Sequence, residues 1–466
     1  MLKFRRPLAT FLLVFLSSTI VFGQAQAHPD LRSKVDQVVQ TALAETGVPS
    51  VSVAIVIDGK LAYANAYGFA KLDPKTPARS EMRYSIGSVS KQFTAAAILK
   101  LQEEGKLSLD DKVAKFLPKL TRANEVTIRQ LLSHTSGYSD FWPQDYVPPF
   151  MNTAITPEKI MDMWATKPLD FDPGTQWQYS NTGFVIAGRI VEKASGQAFM
   201  TYLQQKILGP VDIKNAYDTD QQKLPDADPA GYLAYALAPP RSAPKEGKGW
   251  MYAAGELAMT AEDLSRWNIS MLNQSLLKPA SYREMTKEVQ LTNGLGSRYG
   301  LGIAVTSESG RRALEHGGEV SGFTAENIVY PDDRVAISVL ANQDATHITS
   351  DIARDLAPFV FEAADSSAAK ATTATRGIFE GLQQGTIDRS LFTSNCNDYF
   401  SEVALADFKS SLGPLGQPSS FTQIAKRLRG GMTLRRYRVT FPRERIIVWT
   451  YTMPDGKIEQ YQVAKE

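Results

Sequence analysis

The sequence predicts an α/β (α+β) chain. One antiparallel sheet is built from both ends of a large domain around a helical middle, and a small α+β domain follows. Three observations point there. Segments rich in β-formers cluster near residues 51–67 and again near 299–340. Helical spacing of apolar residues dominates the stretch between them. After residue 375 a new helix-then-hairpin pattern begins. The chain has 466 residues, 43% hydrophobic and 21% charged, which excludes a disordered, collagen-like or multi-spanning chain.

The first 27 residues read as a secretory leader. Lys3, Arg5 and Arg6 precede an uncharged apolar run from Leu8 to Phe22, and Ala25-Gln26-Ala27 offers small residues for cleavage. The run is shorter than the ~20 residues a bilayer span needs, so no stable membrane anchor is expected, and the product would be periplasmic or secreted. Cleavage would turn the formal charge of +2 into −1, a balance that gives no reason to expect a nucleic-acid partner. Cys396 is the only cysteine, so an internal disulfide is impossible; we read it as a small buried hydrophobe.

Leu31, Val35, Val38, Val39 and Leu43 share a helix face, and Gly47 ends that helix. Val51–Ile57 and Leu61–Tyr67 flank Asp58-Gly59 and form a hairpin. Lys91–Glu104, Val126–Leu132, Pro157–Ala165 and Phe184–Ser195 read as helices. Residues 136–155 and 233–252 are loops, rich in Gly, Pro and aromatics. Tyr299–Val305, Arg312–His316, Glu326–Tyr330 and Val335–Leu340 are the late strands, and Asp351–Ala363 is a closing helix. Domain bounds follow: 28–362 for the large domain, 363–375 as a linker of Ala, Ser, Thr, Asp and Lys, and 376–466 for the small one.

The chemistry is approached by elimination. Four histidines, His28, His134, His316 and His347, never fall at metal-ligand spacing, so a zinc hydrolase is not expected; there is no glycine-rich phosphate loop, and the serine chemistry read below needs neither a metal nor an organic cofactor. No serine carries the G-x-S-x-G elbow. A serine can still be activated by a lysine one helical turn on, since i and i+3 share a face. S-x-x-K occurs four times: Ser88/Lys91, Ser242/Lys245, Ser275/Lys278 and Ser367/Lys370. Only Ser88 opens a strongly apolar helix after a glycine turn, where a helix N-terminus favours negative charge. Y-x-N occurs as Tyr63/Asn65 in a strand and as Tyr179/Asn181 in a loop before a helix. His316-Gly317-Gly318 follows a predicted strand, whereas the competing Lys245-Glu246-Gly247 lies in a loop.

The ordered trio resembles the penicillin-recognising serine hydrolases: class C β-lactamases, D,D-peptidases and their esterase and D-aminopeptidase relatives. The resembling text is RYSIGSVSKQFTAAAILKLQEEGKLSLDD, then LLSHTSG at 131–137, PGTQWQYSNTGF at 173–184 and HGGEVSGF at 316–323, within residues 30–362. The resemblance implies a β-lactamase/transpeptidase-like fold and a serine hydrolase acting on amide or ester bonds, D-amino-acid peptides among them. Its partner would be a small-molecule or peptide substrate. It implies that Ser88 is acylated, that Lys91 takes or relays its proton, and that Tyr179 is the general base and acid. It also implies that Asn181 holds the substrate amide and that His316, hydrogen-bonded near Tyr179, meets the polar end of the acyl group. Gly317, Gly318 and Glu319 would line the substrate strand, with the backbone N–H groups of Ser88 and Glu319 as oxyanion hole. Class C β-lactamases usually carry lysine where His316 stands, so efficient β-lactam hydrolysis is not expected. Alternatives are an esterase or weak β-lactamase on the same site, or a non-catalytic penicillin-binding-like sensor or scaffold.

His134 reads as a helix-end residue. Tyr138, Phe141, Trp142, Tyr146 and Phe150 form either a self-packed loop or an apolar wall of the cleft. In the small domain Lys426, Arg427, Arg429, Arg435, Arg436, Arg438, Arg443 and Arg445 make a solvated sheet face, with contact to envelope anions as the alternative. Its order of elements resembles the cystatin-like cone fold.

Overall fold

The computed structural model describes residues 29–308, 310–365 and 367–466. The leader read from the sequence lies outside the described residues. The chain divides into two compact units after Phe361.

In the first unit, α1 (Pro29–Thr46) leads into β1 (Ser50–Ile57) and β2 (Lys60–Leu72). Their turn uses Asp58 at φ 51° and Gly59 at φ 68°, the left-handed pair that matches the twist of a two-residue hairpin. A short β3 (Lys75–Pro77) follows. The late strands are β4 (Ala304–Glu308), β5 (Arg311–Val320), β6 (Phe323–Tyr330) and β7 (Val335–Ala341). The seven form one antiparallel sheet in the order β3-β2-β1-β7-β6-β5-β4. The two ends of the domain meet where Val51 pairs with Ala341 and Ile57 with Val335. β1 is buried up to its last residue and β7 throughout, because helices cover both faces of the sheet centre.

The middle of the chain supplies the helices. α2 (Lys91–Glu103) buries every side chain from Lys91 to Leu99. α3 (Asn181–Ser195) starts where Ser180 Oγ accepts the Gly183 N–H at 3.4 Å and stops at Gly196, left-handed at φ 74°. α4 (Ala261–Asn273) packs on β1, β2 and β7, and its Asn268 bridges Asn327 of β6 (2.8 Å) and Ser338 of β7 (3.0 Å). α5 (Ile348–Ala364) sets Phe361 edge-to-face against Tyr330, ring centroids 4.8 Å apart.

Two late elements differ from the sequence reading. The strand expected from Tyr299 begins only at Ala304. Gly302 sits so close to α2 that a methyl group there would lie 2.5 Å from the Lys91 carbonyl, and the chain turns here instead of extending. The strand expected to end at His316 runs on to Val320, so His316-Gly317-Gly318 lies on β5.

The second unit holds α6 (Ala368–Gln384), α7 (Glu402–Leu412) and a meander of β8 (Ser420–Arg429), β9 (Met432–Thr440), β10 (Arg445–Thr452) and β11 (Ile458–Lys465), paired in that order. The expected linker 363–375 is mostly helix: α6 begins at Ala368, because a run of Ala has high helix propensity and Phe379 and Leu382 give it an apolar face to bury. Asp365 pairs with both Lys426 (3.0 Å) and the buried Arg435. These cations hold its carboxyl well below the usual range even though burial opposes them. Asp365→Ala strands Arg435 and is expected to lower the stability of this unit by ~3 kcal/mol, read as a lower melting transition in calorimetry. Cys396 is buried, and burial pushes its thiol up to about 11.

Candidate active site

Ser88 sits in a single 3-10 turn, Gly87–Ser90, that runs straight into α2. Gly87 is left-handed at φ 50°, and a methyl group on it would lie 2.8 Å from the Glu319 nitrogen. On β5 a methyl on Gly318 would lie 2.0 Å from the Ile86 carbonyl and 3.3 Å from the Ser88 nitrogen. Two glycines therefore let β5 close on the serine turn. This brings the backbone nitrogens of Ser88 and Glu319 to one place, as an oxyanion hole requires.

Lys91 lies one turn beyond and is fully buried. Its Nζ lies 2.9 Å from Ser88 Oγ, 2.8 Å from Asn181 Oδ1 and 2.7 Å from the Ala254 carbonyl. Burial lowers its pKa to about 7, against the pull of Asp140 and Glu256. A neutral amine has two N–H groups and one lone pair. The two carbonyl oxygens can only accept, so they take the two N–H groups and leave the lone pair for the Ser88 hydroxyl.

Tyr179 stacks over the same amine, its ring centroid 4.9 Å from Nζ. Burial raises its pKa, and its hydrogen bond to Ser88 pulls the other way. It therefore stands protonated near neutrality. Asn181 spans two charged groups: Oδ1 faces Lys91, and Nδ2 donates to Asp140 Oδ2 at 3.2 Å. Asp140 Oδ1 also accepts the Asn181 backbone N–H at 3.0 Å. Burial raises the pKa of Asp140.

The sequence reading placed the His316 hydrogen bond near Tyr179. Those rings are 6.2 Å apart, and His316 Nε2 instead meets the Tyr299 hydroxyl at 2.6 Å. Its Nδ1 lies 2.6 Å from the Gly317 carbonyl, which can only accept, so Nδ1 carries the proton and Tyr299 donates to Nε2. Burial, then Lys91, lowers the His316 pKa to about 4, so the ring is neutral at pH 7. Tyr299→Phe leaves Nε2 without its donor and frees the ring to turn. It is expected to lower kcat/KM about tenfold with little change in melting temperature, measured on any hydrolysed ester.

Sequence reasoning missed Asp140 and Tyr299 as site residues. Glu256 was missed too: it is buried, with both carboxylate oxygens unpartnered, and its pKa is raised by burial, then by Asp218 and Asp220. His134, read as a helix-end residue, does more than end a helix. It is left-handed at φ 60°, accepts the Ser180 N–H on Nδ1 at 3.1 Å and stacks on Tyr179 at 4.2 Å. The side chains open onto a cavity of about 1050 Å³. Phe141, Trp142 and Tyr146 from loop 136–155 line it, with Trp250 and Met251 from the end of loop 233–252. Tyr138 is instead core, its hydroxyl bonded to the Thr121 carbonyl at 2.9 Å.

Residues 35–359 match the Beta-lactamase family. Among curated proteins, a penicillin-binding protein of Bacillus subtilis (strain 168) is 28% identical over 300 residues, covering 61% of this chain and 66% of its own length. The chain spans 64 to 66% of the length of the first such relatives. Among solved structures, a D-stereospecific amidohydrolase from Streptomyces is 27% identical with a TM-score of 0.60, covering 69% of this chain and 96% of that one. A penicillin-binding protein homologue from Pyrococcus abyssi is 22% identical with a TM-score of 0.62. It covers 93% of this chain and 96% of its own, so that likeness of fold extends into the second unit. With Ser88, Tyr179 and His316 lining one cavity of this fold and Lys91 buried against Ser88, the chain belongs to the beta-lactamase family.

Proposed function

We propose that the protein is an active-site serine hydrolase that cleaves amide or ester bonds of small D-amino-acid-type substrates through an acyl-enzyme on Ser88. The observation that carries this reading is the buried Lys91 amine, lowered to about 7 and 2.9 Å from Ser88 Oγ. Neutral Lys91 accepts the Ser88 proton as Oγ attacks the substrate carbonyl. The Ser88 and Glu319 N–H groups hold the oxyanion. Because burial raises Tyr179, its first role is that of acid: the phenol gives its proton to the leaving amine or alcohol and is reprotonated from Lys91. Water then enters along the same path, surrenders its proton to this pair and releases the acid. Asn181 has both ends engaged within the protein, so it serves to orient Lys91.

The D-amino-acid preference is supported by the likeness to a D-stereospecific amidohydrolase. A neutral His316 offers no cation for a substrate carboxylate, which favours amidase or esterase work over β-lactam hydrolysis. The basic start and apolar run of residues 1–27 support a site of action outside the cytoplasm. The test is turnover of D- and L-phenylalanine para-nitroanilides, matching esters and a chromogenic β-lactam, with intact mass of the trapped acyl-enzyme. Hydrolysis of the D-amide with a mass gain on Ser88 supports the reading. A chain that turns over none of them and takes no fluorophosphonate overturns it in favour of a sensor or scaffold.

A further inference from the structure

Residues 232–242 form a hairpin that the catalytic site does not use. Its two-residue strands pair Tyr232 with Ser242 and Leu233 with Arg241, so residues 234–240 stand beyond the last pair. From Leu233 to Pro240 the chain reads LAYALAPP, with no charge and the Tyr235 hydroxyl as its one polar side-chain group. Leu237 is 103% exposed and Tyr235 68%. Contiguous apolar surface of this kind marks a contact with another body rather than with water.

The exposure is built into the backbone. The Ala238 N–H donates to the Tyr235 carbonyl at 3.1 Å and closes a tight turn. Ala236, left-handed at φ 52°, starts that turn and leaves Leu237 at its corner. Pro239 and Pro240 follow, with φ fixed and no N–H to satisfy. A tip with so few free backbone donors loses little on leaving water. The base is fixed as firmly. The Tyr232 hydroxyl accepts the Leu72 N–H at 2.7 Å, and the Tyr232 carbonyl accepts the Asp344 N–H at 3.0 Å. Ser321 Oγ donates to the Pro244 carbonyl on the returning arm. Ser321 and Asp344 also line the cavity, so the hairpin is joined to the rim of the candidate active site.

Charge decides what the tip meets. Between Asp228 and Gly249 the charged residues are Arg241, Lys245, Glu246 and Lys248. Glu246 is buried, whereas the three cations are exposed. Lys245 gives one N–H to the Thr219 carbonyl at 2.8 Å and keeps its charge at the surface. The nearest acids in the chain are engaged within the protein: Asp228 pairs with Arg83 at 2.7 Å, and Asp344 accepts the Gly322 N–H at 2.8 Å. An apolar tip with cations behind it matches a bilayer whose headgroups are anionic. A second copy is the poorer fit. Contact of two tips about a two-fold axis would set one basic flank against an identical one.

We propose that the hairpin 232–242 docks the protein reversibly on an anionic lipid surface, with Tyr235 and Leu237 entering the interface and Arg241 behind them among the headgroups. The contact is peripheral, made by a few side chains rather than a span, and it would hold the cavity rim beside the lipid. It goes beyond the serine-hydrolase reading and stands or falls without it.

The test uses residues 28–466, which lack the apolar leader and hold every described element. Vesicles are phosphatidylcholine alone or mixed with phosphatidylglycerol. The expected result is co-sedimentation with the mixed vesicles, weakened by added salt. Arg241→Gln should weaken partitioning about fivefold and Leu237→Ser about tenfold. Both side chains are exposed, so melting temperatures and turnover of soluble substrates should not move. Leu237→Trp should still bind, and its added fluorescence should be quenched by brominated acyl chains. The proposal is overturned if the mixed vesicles pellet no protein, if both Arg241→Gln and Leu237→Ser pellet like the native chain, or if brominated lipid leaves the added tryptophan unquenched. A lipid-free dimer that Leu237→Ser splits overturns it in favour of a second copy. Each of these failures leaves the Ser88 reading untouched, because that reading is decided by covalent labelling.

Discussion

Ser88→Ala is expected to leave no covalent adduct with a fluorophosphonate and no measurable turnover, while the protein keeps its melting temperature. The hydroxyl stands at the junction of the Lys91 amine and the Tyr179 phenol, beside its own backbone N–H, where the proposed acyl bond would form. Removing it loses the covalent route entirely, a change of many orders of magnitude. Fold should survive, because the close approach of β5 depends on Gly87 and Gly318, not on the serine side chain. Intact mass before and after the probe decides it: a mass gain in the alanine variant would place the nucleophile elsewhere.

The second large effect belongs to Lys91. Its folded pKa is lowered to about 7. Below that pH the amine is an ammonium with no lone pair, and Ser88 has no base. Acylation should therefore rise with pH through a midpoint near 7. Lys91→Met is expected to lower the acylation rate by ~10²–10⁴ and to erase that limb of the profile. A limb that persists in the variant would assign the titration to another group. The same burial has a thermodynamic sign. The unfolded lysine holds its proton up to its ordinary 10.5, whereas the folded one loses it near 7. Stability from this group therefore rises between those two values and is lowest in acid.

The sequence exposed those parts of the site that are local in the chain. Ser88 and Lys91 are one helical turn apart, and Tyr179 and Asn181 flank a helix cap, so their geometry is written into their spacing. Asp140 and Tyr299 were invisible for the opposite reason. Asp140 reaches Asn181 across 41 positions, and Tyr299 reaches His316 from a turn that only the approach of Gly302 to α2 creates. The fold was legible on the same terms. The buried strands announce themselves as apolar runs. β8 did not, because most of its side chains are exposed and no alternation remains to be seen. The stretch 363–375 looked like a linker because its residues are small and polar, yet Ala is also the best helix former, and Phe379 and Leu382 further along give that helix something to bury.

Pairing Val51 with Ala341 has a consequence for how the molecule is made. The hairpin of β1 and β2 can form as soon as it is synthesised, but one long edge of β1 waits for a strand nearly three hundred positions away. Closing so large a loop carries an entropic penalty, which makes this pairing a slow and late step. Ser88 and Lys91 belong to the early part of the chain, whereas Glu319 and His316, which complete the pocket, belong to the late part. An incomplete chain thus carries Ser88 and Lys91 without the Glu319 N–H and the His316 ring that face them in the finished fold. The protein becomes chemically competent only once the far end of its first unit has emerged and docked.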